Sequence, residues 1–140
     1  LKGVPRDEVR RAILNGRSIA LCFPFYKVLC SAIVGGIAPI AIGIAWAIKK
    51  EWESADHVNG DMDRVYVFLG DMTVECGVVH EAMKYAEGHK LPVTWIVEDN
   101  GLSVKTDTRK VWGVDACTIP QRYHYKMTKP HVGIDRWVAF

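Results

Sequence analysis

At 140 residues the chain has room for one domain with a core of its own, residues 1–140, and two independent domains do not fit that length. Hydrophobic residues at 49%, charged residues at 24% and a formal net charge of +2 describe an ordinary globular sequence rather than a disordered one, and give nucleic-acid binding no electrostatic support. The 18 basic residues are dispersed, and Arg10-Arg11 and Lys49-Lys50 are pairs on a solvated surface rather than a binding patch.

Residues 5–14 read as a short surface or interface helix. Pro5 stands near its start, Val9, Ala12 and Ile13 share one side, and Asn15-Gly16 supplies the stop. Residues 28–48 then run without a charge between Lys27 and Lys49-Lys50. Length alone allows a membrane span. Gly35, Gly36, Pro39 and Gly43 interrupt the run, however, and a Gly-Gly pair followed by Pro is the pattern of a loop that ends where a helix begins. The expectation is a buried loop followed by a core helix over 39–50, with Pro39 in its first turn. This helix is apolar nearly all round and so should be buried on more than one side. Residues 51–63 are polar and return the chain to the surface.

RVYVFL at 64–69 and PVTWIV at 92–97 are β-branched and aromatic runs with the length of buried strands. Between them Val74, Val78, Ala82 and Ala86 recur at helical spacing. Strand, helix, strand normally makes a right-handed crossover between parallel strands and covers one face of a sheet. The fold class expected is therefore α/β, a parallel sheet with flanking helices. No internal repeat or linker divides it. Cys22, Cys30, Cys76 and Cys117 lie far apart, with no C-x-x-C pair and no secretory signal ahead of them, which predicts a reduced, cytoplasmic protein. The chain begins at Leu rather than Met, as a fragment, a processed form or a chain lacking disordered first residues would.

In a crossover unit both strands point the same way, so Gly70-Asp71 and Asp99-Asn100 should emerge on one edge of the sheet. Neighbouring strands are roughly 5 Å apart, which brings Asp71 and Asn100 within reach of one ion. Asp71 would stand at a strand end rather than in the core. One carboxylate, one amide oxygen and a backbone carbonyl suit magnesium better than zinc, with water and phosphate oxygens completing an octahedron. A helix starting near Thr73 would aim free N–H groups at the same place and favour an anion. The alternative is that Asp71 and Asp99-Asn100 are ordinary turn and cap residues, and spacing alone leaves the two readings open.

Gly70-Asp71-Met72, then 26 residues, then Asp99-Asn100 resembles the GDG…NN signature of thiamine diphosphate enzymes without a gap in the separation. Around it, GDMTVECGVVHEAMKYAEGHKLPVTWIVEDNGLS resembles both the alpha subunits of 2-oxoacid dehydrogenases and the transketolases. Upstream, SAIVGGIAPIAIGIAWAIK at 31–49 is similar to the loop and helix that precede the signature in the dehydrogenase alpha subunits, and the likeness covers residues 28–108. Carried over residue by residue, it implies that Asp71 and Asn100 bind magnesium by side chain and Leu102 by its backbone carbonyl. It implies further that Gly70, Met72 and Thr73 line the diphosphate and that Ala32 and Val34 approach the thiamine ring. Met72 departs from the third glycine of the signature and could crowd the diphosphate. Asp99 departs from the first asparagine, as in the transketolase pattern. RYHYKM at 122–127 resembles a histidine-bearing segment of the family but follows the signature too soon, and His124 is left without a role.

The resemblance implies a thiamine diphosphate- and magnesium-binding subunit of a 2-oxoacid dehydrogenase-like oxidoreductase, in a short form or fragment. Two alternatives stay open: a transketolase-like transferase half, and a non-catalytic cofactor-binding or structural module that retains the fold. In the family a second, pyrimidine-binding domain activates the cofactor, and this chain is too short to hold it. The expected partner is a beta-type subunit carrying that domain, or a second copy in a homodimer that buries residues 28–48. The substrate implied is a 2-oxoacid; neither nucleic acid nor a membrane is an expected partner.

Other chemistry finds little support. His80-Glu81 lacks the second histidine of a zinc-protease helix, because Lys84 stands in its place. His57, His89 and His131 have no partner at ligand spacing and read as surface or structural residues, while His80 is expected beside the cofactor loop or solvent. The sequence contains no P-loop, dinucleotide or serine-hydrolase motif. Trp46, Trp52, Trp95, Trp112 and Trp137 are too dispersed for a stacking platform and read as core or interface packing.

Overall fold

Alternation along the two apolar runs decides the architecture. In the computed structural model, which describes residues 3–54, 61–114, 121–126 and 128, they form β3 (Val65–Gly70) and β4 (Val93–Asp99). These strands pair in parallel, from Val65 opposite Val93 to Gly70 opposite Glu98. β7 (Arg122–His124) adds a third parallel strand beside β4, giving the order β3-β4-β7. Both runs have the length of buried strands, but burial follows one face of β3. Val67, Leu69 and Val97 are buried, whereas Tyr66 and Phe68 are 61% and 57% exposed. Period-2 side-chain alternation puts these two sets on opposite faces, and the helices cover one of them.

The covering layer is built by α2 (Ile37–Ser54) and α4 (Gly77–Gly88). α2 buries Ala38, Ala41 and Ala45, whose spacing makes one stripe of small side chains against β3 and α4. Ile40 and Ile44 on another side are exposed. Burial of α2 on more than one side is therefore corrected: one face is packed within the chain. The helix also starts two residues before the expected position and keeps Pro39 in its first turn. No helix among the described residues is long and apolar enough to cross a membrane.

The connection between β3 and β4 is two helices rather than one. α3 (Asp71–Val74) is a single turn, and α4 follows a break at Glu75 and Cys76. That break shifts the helical phase, so Val79 with Ala82 and Ala86 faces the core while Val78 is exposed, reversing the expected roles of the two valines. Val74, Val79, Val67, Leu69 and Val97 join Ala38, Ala41 and Ala82 in the main core cluster.

α1 (Arg6–Leu14) forms as expected, ends at Asn15 and Gly16, and buries no side chain. A small hairpin follows, β1 (Cys22–Phe23) against β2 (Val28–Leu29), turned by a 3-10 segment, Pro24–Tyr26. The loop over 31–36 is anchored rather than buried. Gly35 is buried with φ +74°, and a Cβ there would come within 2.8 Å of Val78 Cγ1, yet Ile33 and Val34 are exposed. His57, Cys117, Met127, His131, Trp137 and residues 55–60 of the polar stretch lie outside the described residues.

Candidate functional site

Parallel pairing brings the two halves of the signature to one edge. Gly70 lies opposite Glu98, so Asp71 and Asp99 leave the sheet as neighbours and Asn100 follows one step on. The carboxyl edge of a parallel sheet is where open α/β folds hold ligands. Asp71 opens α3 and is 3% exposed, so its expected place outside the core is corrected. Its Oδ2 accepts a hydrogen bond from the Thr108 hydroxyl at 2.5 Å, and Thr108 is itself buried. Among the described residues no Lys, Arg or His forms an ion pair with Asp71.

After β4 the chain makes two successive side-chain turns. Asp99 Oδ1 accepts from Gly101 N and Asn100 Oδ1 from Leu102 N, each at 2.9 Å, with Gly101 in the left-handed region at φ +72°. The turn-residue reading is thus realised in both side chains. It leaves a second lone-pair site on the Asn100 amide oxygen. Leu102 then begins β5 (Leu102–Ser103), which pairs with β6 (Thr106–Asp107) and leads into α5 (Thr108–Trp112). Asp107 caps α5 by accepting from Lys110 N at 3.0 Å, and Gly113 closes it in the left-handed conformation.

α5 is the element that sequence reasoning missed. Thr108 and Trp112 are four positions apart and meet consecutive residues of the signature, Thr108 holding Asp71 and the Trp112 indole N–H donating to Met72 Sδ at 3.2 Å. The signal was present in Asp107, a capping residue directly before Thr108, with Gly113 as the stop. The helix expected to start near Thr73 is the four-residue α3, N-capped by Gly70; the longer α4 begins only at Gly77. A single turn carries little macrodipole, so the anion site expected from a helix dipole is weakened to whatever the local backbone N–H groups of one turn supply. A Cβ placed on Gly70 would meet only Thr73 Oγ1, at 3.9 Å. Ala32 and Val34 lie on the exposed loop that Gly35 pins against Cys76, Val78 and Val79, at the start of α4.

Asp99 faces a different set of groups. Its Oδ2 lies 2.9 Å from Arg122 Nη1 and 3.1 Å from His124 Nδ1, and Arg122 lies 3.9 Å from Glu75, which lies 3.7 Å from His80. His124, without a role in the sequence, is thereby placed on β7 opposite Asp99. Burial pushes the Asp99 carboxyl up, but the Arg122 and Gly101 hydrogen bonds and the charges of His124 and Arg122 outweigh it and hold it below 3.8. Tyr123 donates to Glu98, and that hydrogen bond pushes its hydroxyl up to about 12. His89 stacks on Tyr85 and Trp46, a structural role as expected. Among the described residues no three His, Cys, Asp or Glu side chains converge as a metal cluster.

The family profile described as "Dehydrogenase E1 component" matches residues 26–119, which include the 31–36 loop, the signature and α5. The chain belongs to the dehydrogenase E1 family. Similar curated proteins are pyruvate dehydrogenase E1 component alpha subunits. That of Rickettsia typhi is 37% identical over 78 residues, 56% of this chain and 22% of the relative. That of Rickettsia prowazekii is 36% identical over the same length. The chloroplastic alpha-3 subunit of Oryza sativa subsp. japonica is 34% identical over 70 residues, 49% of this chain and 16% of the relative. This E1-family chain thus spans about a fifth of the length of the first two.

Proposed function

We propose that this E1-family chain binds thiamine diphosphate and magnesium as a subunit of a 2-oxoacid dehydrogenase. The observation that carries the reading is Asp71. A buried carboxylate whose described partner is one hydroxyl lacks the counter-charge that normally offsets its desolvation. A divalent cation held by this carboxylate would supply that charge. Asn100 through its amide oxygen and Leu102 through its carbonyl complete a hard-oxygen donor set of the kind magnesium takes. Open space over Gly70 and the N–H groups of the α3 turn fit a phosphate, and Gly70, Met72 and Thr73 would line it. Ala32 and Val34 would lie toward the ring.

When bound, thiamine diphosphate supplies the electron sink for decarboxylation of a 2-oxoacid. This chain's residues anchor and orient: Asp71, Asn100 and Leu102 fix the metal, and Thr108 fixes Asp71. A beta-type subunit or a second copy would complete the site. The exposed Ile33, Val34, Ile40 and Ile44 support such an interface within the 28–48 region. A cytoplasmic location goes with this reading. Titration with thiamine diphosphate and magnesium tests it. Together they raise the melting temperature, equivalent to ~2.7 kcal/mol at about 100 times the dissociation constant, while either alone gives little. A shift that ignores magnesium sinks the proposal.

One observation favours a second reading, a module that keeps the fold without the reaction. Met72 puts a long side chain where the signature has glycine. Decarboxylation assays on the chain with and without a co-purifying partner separate the two readings, since a module stays inactive in both.

A further inference from the structure

We propose that α5 is a clamp on the signature turn, with Trp112 as the positioning residue that draws Met72 aside and keeps the diphosphate cradle open; this rests on the cofactor reading above. Two contacts from one helical face carry it. Thr108 holds the carboxylate of Asp71, and four positions later Trp112 holds the sulfur of Met72. Residues so spaced lie one above the other on a helix, so a single rigid turn grips two consecutive residues.

Methionine has three rotatable side-chain bonds and a thioether that accepts hydrogen bonds weakly. Left free, it would sweep the space beside the turn. Held by the indole N–H at 3.2 Å, it brings no atom within 4 Å of a Cβ built on Gly70, where Thr73 Oγ1 is the sole neighbour. Met72 in place of glycine is thus accommodated by a donor 40 residues downstream. Residue 112 thereby matters because residue 72 is not glycine, and that dependence separates a positioning role from simple packing.

A double-mutant cycle tests the clamp, with calorimetric titration of thiamine diphosphate at saturating magnesium into the full chain. Trp112 is partly exposed, so Trp112→Phe keeps a ring of similar shape and removes the donor. The expected result is about tenfold weaker binding when Trp112→Phe is made in the wild-type chain, and no weakening when it is made in the Met72→Gly background. The Met72 ε-methyl carbon resonance should also move in Trp112→Phe without any ligand. Equal weakening in both backgrounds, or none in either, overturns the clamp while leaving the cofactor reading intact. An unmoved methyl resonance overturns the sulfur contact itself. No binding to the wild-type chain overturns the cofactor reading and, with it, the clamp's purpose.

Discussion

Asp71 and Asp99 are both strand-end carboxylates on one edge, and their surroundings separate their roles. Asp71 meets a hydroxyl and is buried; Asp99 meets a guanidinium, an imidazole and a backbone N–H. Asp71→Asn keeps the shape and an acceptor for Thr108 while removing the charge. The expected outcome is an apo melting temperature that is equal or higher, since an uncompensated buried charge is removed, together with loss of the magnesium-dependent shift; a retained shift would mean the ligand assignment is wrong. Asp99 should govern acid stability instead. Its folded-state pKa lies below the unfolded one, so the carboxylate contributes stability above the ordinary range and loses it as pH falls through the lowered value. Melting temperatures followed from pH about 5 down to about 2 should drop more steeply for the wild type than for Asp99→Asn. Parallel curves would show that Asp99 is not the group titrating.

At the scale of elements, the strands, the first helix and the shared edge were legible because each has a local cause: β-branched runs, a Pro start with an Asn-Gly stop, and a crossover that forces parallel pairing. What stayed hidden depends on contacts between elements. Val78 and Val79 fit a helical stripe equally well until the break at Glu75 and Cys76 fixes the phase. An apolar helix does not declare how many of its sides its own chain covers, which is why α2 was over-buried in the sequence reading. Gly35 is where the loop and α4 meet. Gly35→Ala would place a Cβ against Val78 in a left-handed conformation. The conformational term alone costs about 1–2 kcal/mol, and a loss of unfolding free energy smaller than that in denaturant titration would show that the loop yields. α5 escaped notice because five residues carry too short a pattern for periodicity to register.

For the whole molecule, the described residues make a sheet with helices packed on one face and aromatic side chains, Tyr66 and Phe68, on the other. With Ile40 and Ile44 of α2, these are exposed hydrophobic side chains among the described residues. Under the proposed subunit reading, those side chains would meet a partner chain. Replacing Ile40 and Ile44 with lysine should reduce the assembly size seen by light scattering. The change in stability should be small, within about 0.5 kcal/mol per site, because neither side chain is buried in the chain's own core. An unchanged assembly would place the interface elsewhere, with the Tyr66 and Phe68 face the next to probe.

The brace on Asp71 reaches across 37 positions of sequence, while the parallel pair it serves is joined across 28, from Val65 to Val93. Thr108 lies outside the apolar core that holds the sheet to its covering helices. The carboxylate is locked only when the β5-β6 turn has closed and α5 has docked. Under the cofactor reading, damage confined to residues 101–112 would therefore cost the site its brace while leaving the core of the fold standing.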